Sequence, residues 1–150
     1  MATLIKDFTI DADATQVWDA LEDFGALHTR LVPGFVTACT FDGEARTVTF
    51  ANGSVAKELL VTIDAERRRL VYAIANERIR HYNAVAQVFD DGRGGTRFTW
   101  TIDVLPNELA PYISGQRRCS GRWQDRPRDL ARGLRGVEHD AVAAVTLGAI

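Results

Sequence analysis

Three side chains of this 150-residue sequence have the types needed for polar chemistry in an apolar setting: Glu58, Tyr72 and Tyr82. A carboxyl group can move a proton. A tyrosine joins a large apolar ring to a hydroxyl that wants a partner when buried, so together the three could polarise a ketone or orient a ligand oxygen. Two core tyrosines and a solvated glutamate would look the same in the sequence. Strand alternation groups Glu58 with Ser54, Ala56 and Thr62, while Val55, Leu59, Val61 and Ile63 form the more apolar face. By that pattern alone Glu58 faces solvent.

Other reactive residues give weaker signals. Arg78 and Arg80, beside His81, could hold a ligand carboxylate by charge-assisted bonds, but at a hairpin end they read first as solvated charge. His28, His81 and His139 show no i,i+4 pairing and no companion cysteine cluster, so no metal site is expected. Cys39 and Cys119 are too few and too far apart to define a disulfide framework, and Cys39 reads as an inert strand thiol. Gly92, Gly94 and Gly95 lie between two strands rather than before a helix, which predicts a hairpin turn and not a phosphate loop. No cofactor is expected.

The elements that would position these residues follow from composition and pattern. A 46% hydrophobic and 25% charged chain of this length fits one globular domain. The net charge of -2 predicts no general affinity for nucleic acid or anionic membrane. No stretch approaches the roughly 20 apolar residues needed to cross a bilayer, and the start lacks a signal-peptide pattern, so a soluble, cytoplasmic protein without membrane insertion is expected. Self-association as a homodimer is left open.

Leu4, Phe8 and Ile10 alternate with Thr3, Asp7 and Thr9, predicting a first strand over about residues 2–10. Asp13 is a helix N-cap for a short amphipathic helix carrying Val17, Trp18 and Leu21. Phe24, Leu27 and Leu31 suit a second short helix, stopped by Pro33-Gly34. Turn signals then separate six strands near 35–42, 45–51, 54–63, 69–76, 80–90 and 96–104, with Asn52-Gly53 the strongest hairpin signal. Connections this short force antiparallel neighbours, giving a meander whose edge the first strand joins. Leu105-Pro106-Asn107 breaks the last strand and opens a helix with Leu109, Tyr112 and Ile113.

This order resembles the helix-grip plan of the START and birch-pollen-allergen-like (SRPBCC) superfamily. Residues 10–24, IDADATQVWDALEDF, look like the opening of its bacterial polyketide cyclase/dehydrase-like branch. RTVTFANG at 46–53, VAKELLVTID at 55–64, LVYAI at 70–74, His81-Tyr82 and GTRFTW at 95–100 follow in the family's order. The resemblance covers residues 1 to about 115. It implies an α+β helix-grip fold: a seven-stranded curved antiparallel sheet, two short helices after the first strand, and a C-terminal helix across the concave face. It also implies a cavity between sheet and helix for a small hydrophobic ligand such as a polyketide or lipid. By the match of motifs, Val48, Phe50, Glu58, Tyr72, Ile74 and Tyr82 line that cavity, Leu31 and Val32 sit near its mouth, and Leu109 and Ile113 belong to the closing helix. The resemblance thus sets Glu58 inside, against the strand pattern.

The end of the sequence does not fit that plan. Residues 117–135, RRCSGRWQDRPRDLARGLR, carry seven arginines, with Pro127 where a helix interior should be. The balance of Lys+Arg to Asp+Glu changes from 11 against 16 before residue 116 to 7 against 4 after it. A shifted reading frame in a GC-rich gene would produce such a tail, and so would a basic segment that docks a partner. For the whole protein the leading expectation is a cofactor-free carrier of a small hydrophobic molecule. The alternatives are a polyketide cyclase/aromatase or dehydratase acting through Glu58 and the tyrosines, and a protein-interaction module.

Overall fold

The computed structural model describes residues 1–31, 35–74 and 76–114, and within them every predicted strand is present. Strand β1 (Ala2–Ile10) alternates partly covered and exposed residues along its length, as the period of two requires. Helix α1 (Ala14–Glu22) starts where Asp13 accepts the Thr15 N–H at 2.8 Å, and it buries Val17, Trp18 and Leu21 along one stripe. A single turn, α2 (Leu27–Arg30), follows.

Six strands come next: β2 (Val36–Phe41), β3 (Ala45–Phe50), β4 (Val55–Asp64), β5 (Arg69–Ile74), β6 (His81–Asp90) and β7 (Thr96–Leu105). The sheet order is β1-β7-β6-β5-β4-β3-β2, antiparallel throughout, so β1 joins the free edge of a meander. After Pro106, a 3-10 turn at Asn107–Leu109 leads into α3 (Ala110–Ile113). The expected continuation of that helix, Val32 and the arginine-rich tail lie outside the described residues.

The β3–β4 turn sets the register on which the interior depends. The Phe50 N–H donates to the Ser54 carbonyl at 2.9 Å, so the loop holds three residues, Ala51, Asn52 and Gly53, rather than the Asn-Gly pair alone. Gly53 takes φ +85°, the left-handed geometry that such a loop needs and that a side chain disfavours. This loop sets Arg46 opposite Glu58.

One face of the sheet, α1 and the residues Leu109 and Ile113 share a single apolar core, with Trp100, Tyr72 and Phe98 its largest fully buried side chains. Local periodicity in β4 points the wrong way. Val55, Leu59 and Val61 are 60%, 41% and 56% exposed, whereas Glu58 is buried. The neighbouring strands decide the matter: β3 presents Val48 and Phe50, and β5 presents Leu70, Tyr72 and Ile74, to the covered face. The register carries the even-numbered residues of β4 through Leu60 to that side. A bulge between Leu60 and Thr62 then interrupts the alternation and bends the strand.

Candidate functional site

Four polar atoms lie buried on the covered face with no hydrogen-bond partner among the described residues: Glu58 Oε1, the Tyr72 and Tyr82 hydroxyls, and Trp100 Nε1. Strand pairing sets all four on one face of the sheet. Tyr72 on β5 faces Leu60 of β4 and Ala84 of β6, and Trp100 on β7 faces Ala86 of β6. The two alanines keep the middle of that face low, so the large rings to either side meet above it. The Tyr72 and Tyr82 ring centroids stand 6.3 Å apart. The Trp100 N–H and the Tyr82 hydroxyl both lie near enough to the Tyr72 hydroxyl to influence its ionisation, yet neither approach closes into a hydrogen bond.

Arg46 completes the group, and the sequence pattern does not single it out. It is 2% exposed. Its Nε and Nη2 both reach Glu58 Oε2 at 2.5 Å, and Nη1 donates to the Phe24 carbonyl at 3.2 Å. The guanidinium also lies 4.0 Å from the Phe24 ring centroid and 5.4 Å from that of Tyr72, so aromatic faces supply part of the solvation that water would give. Burial pushes the Glu58 carboxyl above its ordinary value, and Arg46 pulls it back part of the way. Burial likewise raises Tyr72 and Tyr82, so both are neutral phenols that can donate. A signal for Arg46 exists in the sequence: a three-residue loop at 51–53 pairs 46 with 58. Counting a two-residue loop instead sets Leu59 opposite it.

The other residues named from the sequence are placed as follows. Val48, Phe50, Ile74, Leu109 and Ile113 are buried in the same core as Tyr72 and Tyr82. Leu31 ends α2 and is also buried. Trp100 is legible in the sequence only as part of GTRFTW, where Phe98, Trp100 and Ile102 share one face. Arg78 and Arg80 are exposed at the β5–β6 connection. Cys39 is partly covered on β2, and burial raises its thiol, which disfavours the reactive thiolate. A surface recess of about 310 Å³, lined by Thr9, Asp11, Asp91 and Arg93 among others, lies at the β6–β7 turn and holds none of the candidates. No helix among the described residues is long and apolar enough to cross a membrane.

A seven-stranded antiparallel meander closed by its first strand, with short helices on the covered face, defines a helix-grip protein of the SRPBCC class. Residues 1–124 match the family model described as polyketide cyclase / dehydrase and lipid transport, and the chain belongs to that family. The match ends inside the arginine-rich segment.

Solved structures agree on the fold. A Bacillus thuringiensis protein of uncharacterised function is similar at TM-score 0.67 and 19% identity, covering 76% of this chain and 89% of its own. A Thermobifida fusca protein reaches TM-score 0.62 at 28% identity, over 77% and 84% of the two chains. Norcoclaurine synthase from Thalictrum flavum, in complex with dopamine and hydroxybenzaldehyde, gives TM-score 0.60 at 16% identity, over 78% and 77%. No curated protein sequence matches the chain.

Proposed function

We propose that this protein binds a small, mostly apolar molecule against the covered face of the sheet, and that Glu58, Tyr72, Tyr82 and Trp100 orient its polar end. The observation that carries this is that four buried polar atoms on one face of the sheet have no partner among the described residues. Each such atom costs on the order of 1–3 kcal/mol, and one in isolation would be a local flaw. Four on one covered face resemble the few polar groups that an otherwise apolar pocket carries. Leu31, Val48, Phe50, Ile74, Leu109 and Ile113 are the proposed apolar walls. Norcoclaurine synthase, similar in fold, forms a complex with the aromatic molecules dopamine and hydroxybenzaldehyde, which is in keeping with this use of the scaffold.

Native mass spectrometry of the purified protein tests the reading. A retained apolar compound, released unchanged on denaturation, is the expected result. Protein that is ligand-free and also fails to bind naphthalene in titration overturns it.

One observation favours a second reading, a cofactor-independent cyclase or dehydratase. Glu58 leaves one oxygen free on the face that also carries two neutral phenols, groups of the kind that could polarise a ketone and take a neighbouring proton. Turnover of a poly-β-ketone analogue, abolished in Glu58→Gln, would establish the enzyme; binding without turnover would leave the carrier.

A further inference from the structure

Between α1 and α2 the chain turns a corner at Phe24 and Gly25, and that corner lies directly on the sheet. A Cβ added at Gly25 would stand 3.1 Å from the Phe41 Cβ on β2, and the Phe24 ring meets Phe41 edge-on at 5.5 Å. Phe24 lies past the C-cap of α1 and is 2% exposed, so its carbonyl needs a donor from outside the helix. Arg46 on β3 supplies one through Nη1 at 3.2 Å and sets its guanidinium 4.0 Å from the Phe24 ring centroid. Nε and Nη2 of the same group are engaged by Glu58 on β4. One side chain thus ties the corner to two strands of the sheet.

The segment beyond Phe24 is fastened more to α1 than to the strands. Arg30 of α2 pairs with Asp19 and Asp23, and α2 itself is a single turn without a side-chain cap. Besides Phe24, the core takes Leu27 and Leu31 from this segment. A unit held by so few buried side chains opens at lower free energy than the strands beneath it.

We infer that Arg46 is a latch that holds the α1–α2 corner on the sheet, and that the corner lifts as a unit, separately from the strands, when the latch is lost. Glu58 fixes the guanidinium that makes the bond, so a change at Glu58 on β4 is felt at the corner through Arg46. This inference stands whether or not the covered face binds a ligand.

Cys39 reports on the corner, because its Sγ lies 3.9 Å from the Phe24 carbonyl on the strand that α2 packs against. In the full chain carrying Cys119→Ser, Cys39 is the only thiol, and its rate of labelling by a thiol reagent is followed over a series of low urea concentrations. Lifting of the corner exposes little surface, so the rate should be nearly flat in urea until global unfolding takes over. Arg46→Met with Glu58→Leu leaves nothing to bond the Phe24 carbonyl, and the flat rate should rise about 10-fold or more, the weight of one hydrogen bond to a charged donor. Arg46→Lys keeps a cation for Glu58 but lacks the planar fork that reaches both partners, so it should also label faster, and it decides where the double variant does not fold.

A parent rate that climbs steeply from the lowest urea means that the corner opens only with the whole molecule, and overturns the inference. A flat rate that is the same in the parent and in the variants leaves a separate opening in place but removes Arg46 as its latch, and overturns it equally.

Discussion

At Arg46 and Glu58 the protein buries two opposite charges where an apolar pair would also fit. Removing one member strands the other, which costs about 3–5 kcal/mol, whereas replacing both with apolar residues is often neutral or stabilising. Arg46→Met is therefore expected to lower stability by about that amount, and Arg46→Met with Glu58→Leu to recover most of it, measured by urea denaturation in a double-mutant cycle. A single-variant cost under about 1 kcal/mol would show the pair to be solvated instead. Linkage gives a second expectation. Because burial raises the Glu58 carboxyl, its contribution is full below the ordinary value of 4.5 and is lost as pH rises through the folded value. Wild type should thus lose stability relative to Glu58→Gln as pH climbs from 4.5, and parallel pH profiles would contradict the assignment.

At the scale of elements, aspartates hold the turns. Asp13 caps α1; Asp42 and Asp91 each accept two backbone N–H groups in their hairpins, and Asp64 accepts one from Arg67 before β5. These backbone bonds hold all four carboxyls below their ordinary 3.8. The sign is opposite to that of Glu58: the contribution is present above 3.8 and lost as pH falls through the lower folded values. The urea midpoint should drop on acidification below 3.8, and Asp13→Ala should lower the midpoint at pH 7 and flatten that drop. An unchanged acid slope in the variant would deny the cap its role. The same turn chemistry explains why strand positions are readable to within a residue or two. Asx acceptors and positive-φ glycines interrupt β structure through local interactions, whatever the rest of the molecule does. The face that each strand presents is not local in this sense, and the alternation of β4 misleads for that reason.

Across the whole molecule, the sheet has one face committed to the core and one facing outward, where Val55, Leu59 and Val61 are exposed. Val61 is largely exposed, so Val61→Thr should change stability by less than about 0.5 kcal/mol, while Val48→Thr, at a fully buried site, should cost more than about 1 kcal/mol. Thermal or urea unfolding of the two variants checks this, and equal costs would mean that the outward face is covered in solution. Family membership also stands at this scale. The match runs over residues 1–124 and so continues past residue 117, where the sequence turns arginine-rich.

The amino-acid sequence alone determined the number and order of the strands, the N-cap of α1 and the antiparallel meander, because turn residues, alternation and short connections act between near neighbours in the chain; the superfamily was read from the resemblance of its ordered motifs. Only the tertiary structure decided that Glu58 lies inside, that Arg46 is its partner, and that Trp100 joins the tyrosines. Those outcomes depend on a loop one residue longer than the Asn-Gly pair and on the strands beside β4. When local alternation and the neighbouring strands disagree, the face with the larger total apolar area is buried, and that sum is settled only when the strands are paired.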